Sequence, residues 1–192
     1  MGDAAKRPTY LTIEEFMEAY AGAKGRHELV DGVVRSMSPA APIHSVIQSR
    51  LLVAISNHLQ QTGRACEAVT EGVIKLHMGR RVNLRSPDIV VDCRSRGPFG
   101  KTFESPLVII EVLSPSNESD TWETIRACAT LPTLQEIVVV RTDEQLAQVF
   151  RRGENGRWID DAETVSGSNN MRIACLDLTV DLASLYAGTT LE

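Results

Sequence analysis

Aromatic side chains make up only 5% of the 192 residues, too few for the stacked rows of rings that grip single-stranded nucleic acid. Neither sign of charge dominates. Twenty basic against 25 acidic residues leave a net charge of −5, so a polyanion would have to be met by a local basic patch and not by the bulk field. No apolar run approaches the roughly 20 residues that span a bilayer, which excludes a helical membrane span. The start, Met1 to Arg7, runs into Thr12-Ile13-Glu14-Glu15 and not into the apolar core of a secretion signal. Cysteine is scarce and scattered. Cys66, Cys93, Cys128 and Cys175 form no CxxC pair, and each sits in an apolar stretch, which predicts buried free thiols. His27, His44, His58 and His77 are equally dispersed, so spacing excludes a Cys/His zinc site. Lysine is limited to Lys6, Lys24, Lys75 and Lys101. The expected compartment is cytoplasmic. With no repeat, low-complexity tract or linker, residues 1–190 read as one domain, and Leu191-Glu192 as an expression-tag remnant. A chain of this size buries about 70% of its unfolded surface and needs no disulfide or structural metal to fold.

What is present is an alternation of helical and extended patterns. Thr12 and Glu15 match a capping box ahead of Ile13, Phe16, Met17 and Tyr20 at helical spacing. His27 to Met37 reads as a hairpin around Asp31-Gly32. A second helix carries Ile47, Leu51, Ile55 and Leu59 along one stripe, with Ser45 and Gln48 as its expected capping box and Gly63 as its stop. Strands are expected at Cys66–Thr70, Val73–His77, Ile89–Asp92, Leu107–Leu113 and Ile137–Arg141. A helix over Ser116–Thr130, started by Asp120, stands between the last two. Further on come a hairpin of Gln148–Arg152 with Arg157–Asp160, a short strand at Met171–Cys175 and a helical turn from Asp181 to Tyr186. Two near-continuous apolar strands with helices between them predict an α/β domain around a mixed sheet.

Glu111 interrupts the most apolar strand of the chain. Period-two alternation puts Leu107, Ile109, Glu111 and Leu113 on one face and Val108, Ile110 and Val112 on the other. A carboxylate there is costly unless paired, protonated or bound to a metal. Asp88, after Pro87 and ahead of Ile89-Val90-Val91, is a second acid where a strand enters the core. If the two strands pair, both carboxylates converge on one divalent ion, and an all-oxygen donor set suits magnesium or manganese. Glu28, beside the Asp31-Gly32 turn, is a third candidate.

These residues fall into an ordered set: Glu28-Leu29-Val30-Asp31-Gly32, Arg85-Ser86-Pro87-Asp88, Glu111-Val112-Leu113-Ser114-Pro115-Ser116, and a later segment from Leu131 to Val140. The set resembles the Uma-type restriction-endonuclease family of the PD-(D/E)XK nuclease superfamily, from about Leu11 to Tyr186. The resemblance implies a restriction-endonuclease-like mixed central sheet flanked by helices, with an added N-terminal helix and hairpin. It implies a magnesium ion between Asp88 and Glu111 (manganese as a substitute), with the Val112 carbonyl contributing and Glu28 in support. It also implies DNA as the partner and a homodimer, and hydrolysis of phosphodiester bonds by an endonuclease. The superfamily's lysine has no counterpart at its two usual places, which are Leu113 and Thr124 here. Lys75 is the expected substitute, with Lys101 and Arg126 behind it. The missing lysine supports a second reading, a catalytically degenerate relative that acts as a binding or interaction module.

Plainer roles stand beside these. Glu111 could be a buried acid paired with Arg85 or Arg126, Asp88 a residue capping a turn, and Glu28 an exposed hairpin residue; a third reading of the chain makes all the acids members of ion pairs with no metal. His44, close to the start of the second helix, is placed to reach a phosphate, with a surface or capping role as the default expectation. Arg80, Arg81, Arg85, Arg94, Arg96 and Lys101 are expected to be solvated loop charge. Arg151, Arg152 and Arg157 read as charges guarding a sheet edge, and Trp122 and Trp158 as packing residues.

Overall fold

Thr12 and Glu15 form the expected capping box: Thr12 N–H donates to Glu15 Oε2 at 2.8 Å and Glu15 N–H to Thr12 Oγ1 at 3.1 Å. In the computed structural model, residues 10–20, 22–78, 81–93, 102–103 and 105–192 are described. Helix α1, Ile13–Tyr20, follows the box. Strands β1 (His27–Val30) and β2 (Val33–Ser36) then pair as a hairpin. Its turn places Asp31 at φ 50° and Gly32 at φ 80°, the left-handed pair that a two-residue hairpin of this twist requires.

Helix α2 runs Pro42–Thr62 and ends on Gly63 at φ 65°. It begins three residues before the expected Ser45–Gln48 box. Pro42 stands in its first turn, where a missing N–H costs nothing, and the Gln48 amide is used elsewhere. Next come β3 (Glu67–Thr70), β4 (Ile74–Met78), β5 (Arg81–Arg85), β6 (Ile89–Asp92) and β7 (Pro106–Leu113). A 3-10 turn at Pro115–Asn117 leads into α3, Glu118–Cys128, so the helix begins before Asp120 and not at it. Strands β8 (Glu136–Arg141), β9 (Leu146–Arg151), β10 (Glu163–Ser166), β11 (Asn170–Ile173) and β12 (Leu178–Asp181) complete the order. The second arm of the expected 148–160 hairpin shrinks to a single bridge between Arg152 and Trp158. The partner of β9 is instead β10, which the sequence pattern did not reveal.

Six strands form a mixed sheet in the order β10-β9-β8-β7-β6-β3. The β7–β8 pair is parallel and its neighbours antiparallel, with α3 making the crossover that parallel strands need. Both faces of β7 are covered. Val108, Ile110 and Val112 lie in a cluster with Ile47, Leu51, Ile55 and Leu59 of α2. Ile109 and Leu113 lie in another with Ile125, Ala127 and Cys128 of α3 and Ile74 and Leu76 of β4. Each such fully buried aliphatic side chain contributes roughly 1.5–3 kcal/mol of transfer free energy. A second, antiparallel sheet, β2-β1-β5-β4, takes in the N-terminal hairpin, and Phe16, Leu29 and Leu84 pack between it and α1.

Cys66 and Cys93 form a disulfide, against the expectation of free thiols at all four positions; Cys128 and Cys175 are free. The reason is register. Antiparallel β3 and β6 pair Glu67 with Asp92, so the next residue out on each strand faces the other, a proximity that a sequence separation of 27 conceals. Arg152 is also no edge charge. Its guanidinium donates to the carbonyls of Leu134, Gly156, Ala129 and Leu131 and lies 4.7 Å from the Trp158 ring centre. Trp122 and Trp158 do pack against the core on the α3 side of the sheet.

Glu136 is 2% exposed and fully used. It accepts from Arg151 Nε at 2.7 Å, Ala174 N–H at 3.0 Å and Cys175 N–H at 2.7 Å, tying the approach to β12 onto the sheet. Removing one member of a buried charge network leaves the rest uncompensated. Glu136→Ala is expected to lose about 3–5 kcal/mol in denaturant unfolding. Glu163→Ala, which removes the exposed partner of the same Arg151, is expected to lose about 1 kcal/mol or less.

Candidate active site

Asp88 follows Pro87 at the bend between β5 and β6, where the chain passes from the small sheet into the large one. Its side chain is 2% exposed and accepts from three separate elements. Arg26 donates from a terminal guanidinium nitrogen to Oδ1 at 3.0 Å, His44 Nε2 lies 3.0 Å from Oδ2, and Val112 N–H donates to Oδ2 at 2.8 Å. Its backbone carbonyl accepts from Gln48 Nε2 at 2.8 Å and from Glu71 N–H at 3.1 Å. Burial pushes the carboxyl up, but the His44 hydrogen bond and the charges of His44 and Arg26, joined by the Val112 amide, outweigh it and hold the group below its ordinary value.

Glu111 reaches the same point from β7. It is 5% exposed and shares a hydrogen bond with the Asp88 carboxylate. Burial first, then the charges of Asp88 and Glu28, raise its carboxyl well above the ordinary range; Arg26 opposes them more weakly. The two carboxyls are thus pushed in opposite directions, as neighbouring acids in one buried place are.

Glu28, on β1, is buried as well, against the exposed hairpin role considered for it. Its carboxylate accepts from Ser86 N–H at 2.9 Å and pairs with Arg85 at 3.4 Å. Arg85 is 2% exposed, so it is no solvated loop charge. Its other end meets Glu123 of α3 at 3.0 Å, which also takes Arg35 at 2.7 Å. Neither Asp88 nor Glu28 caps a turn, and Arg85 spends its charge on Glu28 and Glu123. Of the remaining basic cluster, Arg80, Arg94, Arg96 and Lys101 lie outside the described residues, as does the Arg81 side chain.

Glu28, Asp88 and Glu111 share a cleft of about 200 Å³ with Arg26, His44 and Thr124. The walls are the 36–41 link before α2, the 3-10 turn after β7 and the first turns of α3. Two expected site residues, Lys75 and Val112, are not among its lining residues. Lys75 lies on β4 between the buried Ile74 and Leu76, Val112 packs in the cluster with α2, and Leu113, where the superfamily has its lysine, is core on the α3 side. The lining cations are Arg26 and Arg35, and no lysine stands among the lining residues.

His44 and Arg26 are the residues that sequence reasoning missed. His44 was expected at the surface, yet it is 3% exposed. The signal existed: the stripe Ile47, Leu51, Ile55 continues backward by one helical step to position 44. Arg26 precedes Glu28 by two residues, the spacing that turns both toward one side of an extended chain.

The donor set fits a divalent cation. A cation placed between Asp88 and Glu111 would offset the repulsion that raises Glu111 and favour its ionised form. Among the described residues no group of three or more His, Cys, Asp or Glu converges as a ready cage. Magnesium is ordinarily held without one, by one or two carboxylates with water and a substrate phosphate filling the octahedron. The Val112 amide is committed to Asp88.

Opposite pH dependences follow for the cation-free chain. Glu111, raised in the folded state, contributes stability that is full below its ordinary 4.5 and is lost as pH climbs through its folded value. Asp88, lowered, contributes stability present above 3.8 and lost as pH falls through its folded value. Glu111→Gln, which keeps a donor toward Asp88, is expected to raise Tm at pH 7–8 by about 2–4 °C for each kcal/mol relieved, with the gain vanishing near pH 4. Melting curves across that range check it, and a Tm lowered at neutral pH would contradict the raised Glu111 carboxyl.

Residues 13–183 match the sequence profile of the Uma2 family, described as putative restriction endonuclease. A curated relative from Synechocystis sp., named uncharacterized protein slr1290, is 27% identical over 180 residues, covering 93% of this chain and 92% of that one. The crystal structure of a putative nuclease belonging to DUF820 from Anabaena variabilis superposes with a TM-score of 0.74 at 20% identity, covering 92% of this chain and 98% of that one. The shared fold is thus the nuclease-like mixed sheet that the sequence predicted, and the profile match takes in Glu28, Asp88 and Glu111 alike. The chain belongs to the Uma2 family.

Proposed function

We propose that the chain is a magnesium-dependent endonuclease acting on DNA phosphodiesters, with Asp88 and Glu111 as the cation's protein ligands. The observation that carries this reading is the meeting of two buried carboxylates in one cleft, Asp88 held below its ordinary range by His44, Arg26 and the Val112 amide and Glu111 pushed well above its own by burial and by Asp88. Bound there, magnesium would polarise the scissile phosphate and lower the pKa of a coordinated water. The chain's own residues do the rest. Val112 N–H and His44 fix the Asp88 carboxylate from one side. Glu28 adds negative charge beside the pair, held in place by Ser86 and Arg85. Arg26, already on Asp88, is the guanidinium best placed to bind a phosphate oxygen, a task that suits arginine better than activating water does. No helix among the described residues is long and apolar enough to cross a membrane, and none of their features calls for the homodimer that cutting both strands at once would use.

One observation favours the alternative, a catalytically degenerate binding module. Thr124, where a lysine is expected in this family, is 4% exposed and lines the cleft without charge. Loss of one transition-state donor costs about 10²–10³ in rate, so slow chemistry is the form of activity this cleft would have.

Purified chain with plasmid DNA and magnesium or manganese separates the two. Nicking that requires the cation and falls at least about 10²-fold in both Asp88→Asn and Glu111→Gln is the expected result. Cation binding without nicking would establish the binding module, and nicking that persists in both variants would remove these acids from the reaction. Thr124→Lys, which restores the charge, is expected to raise the nicking rate of an active chain.

A further inference from the structure

The Asp88 carboxylate has no acceptor capacity to spare. An ionised carboxylate offers about four lone-pair directions. His44 Nε2 and Val112 N–H both lie on Oδ2, Arg26 donates to Oδ1, and Glu111 shares a further hydrogen bond with the same carboxylate. A cation that takes Asp88 as a ligand must therefore displace a partner. Val112 N–H belongs to the backbone of β7, the His44 ring is buried on α2, and Glu111 stays as the second ligand. Arg26 is left.

Arg26 lines the cleft, and its side chain is 20% exposed where that of Asp88 is 3%. Its guanidinium has other attachments. One terminal nitrogen donates to the Ser86 carbonyl at 2.6 Å, and Nε lies 3.4 Å from the Glu71 carboxylate without a hydrogen bond of its own. Glu71 is a half-exposed second acid whose backbone is pinned in place: its N–H donates to the Asp88 carbonyl and its own carbonyl accepts from Ser86 Oγ.

We propose that Arg26 is an internal counter-ion that occupies the cation's place on Asp88 Oδ1 and leaves it, toward Glu71, when the cation binds. This inference rests on the reading of Asp88 and Glu111 as cation ligands. Like charge makes the two occupants exclusive, because repulsion between a guanidinium and a divalent ion on one oxygen is strong where water is nearly absent. The empty site thus resists the cation. A substrate phosphate, which suits arginine, draws the guanidinium off Asp88 and so raises cation affinity, and linkage makes the cation raise phosphate affinity by the same factor.

Calorimetric titration with manganese, melting curves and plasmid nicking over a range of DNA concentrations are measured for the unaltered chain, Arg26→Gln, Glu71→Gln and the double variant. Arg26→Gln is expected to bind manganese at least about tenfold more tightly, while its KM for DNA rises about threefold or more. A merely structural role for Arg26 would weaken both. Glu71→Gln, which removes the alternative anchor, is expected to weaken manganese binding about three- to tenfold alone and by less than about twofold in the Arg26→Gln background. A manganese-loaded crystal structure is expected to show Arg26 off Asp88 Oδ1.

Manganese bound by a folded Arg26→Gln chain no more tightly than by the unaltered one would overturn the proposal while the metal reading stands. Equal weakening by Glu71→Gln in both backgrounds would do the same. So would Arg26 still on Asp88 Oδ1 in the loaded crystal, the observation that decides the matter if Arg26→Gln does not fold. No heat from manganese with either the unaltered chain or Arg26→Gln would overturn the metal reading itself, and this proposal with it.

Discussion

Five hydrogen bonds onto one residue, Asp88, tie together the approach to the small sheet, helix α2 and the large sheet at a single point. Its carboxylate receives Arg26 from the chain leading into the small sheet, His44 from α2 and the amide of Val112 from the large sheet; its carbonyl receives Gln48 and Glu71. Charge-assisted bonds of this kind are about twice as strong as neutral ones, and here they act where water is nearly excluded. The bend at Pro87-Asp88 is thus the joint at which two sheets and a helix are set against each other.

That joint explains why Glu111 tolerates a place in an apolar strand. β7 has no polar neighbour in its own sheet at that level, since Glu111 pairs with Val139 across the parallel register. The tolerance of Glu111 comes from a carboxyl raised well above the ordinary range by burial and by the charge of Asp88 beyond the sheet's end. The outer ring of Arg85, Glu123 and Arg35 steadies Glu28 without supplying a partner to Glu111. Of the three acids that share the cleft, Glu28 pairs with Arg85 and Asp88 with Arg26, and among the described residues Glu111 has no such ion pair.

Much of this was legible in the sequence. The Thr12 box, the Asp31-Gly32 turn, the apolar strands and the Glu28, Asp88 and Glu111 trio are written in local patterns that physics reads directly: caps, left-handed turn residues and a carboxylate out of place. The failures share a cause. Ser45 and Gln48 matched a capping box, but helix entry was decided by Pro42 and by the tertiary demand of Asp88 for the Gln48 amide. Lys75 was chosen because it precedes the motif along the chain, whereas β4 carries it in the small sheet, away from the residues that line the cleft. Cys66 and Cys93, and the pairing of β9 with β10, depend on which strands lie side by side, and a linear pattern does not contain that.

The bridge between Cys66 and Cys93 has an effect that reaches past the two strands it joins. Everything between those positions, including β4, β5 and the Pro87-Asp88 bend, lies within one covalently closed ring of backbone. Thiol-rich surroundings open such rings and oxidising ones keep them closed. The bend that carries the hub residue is therefore tethered at both ends of its loop by a bond outside the cleft.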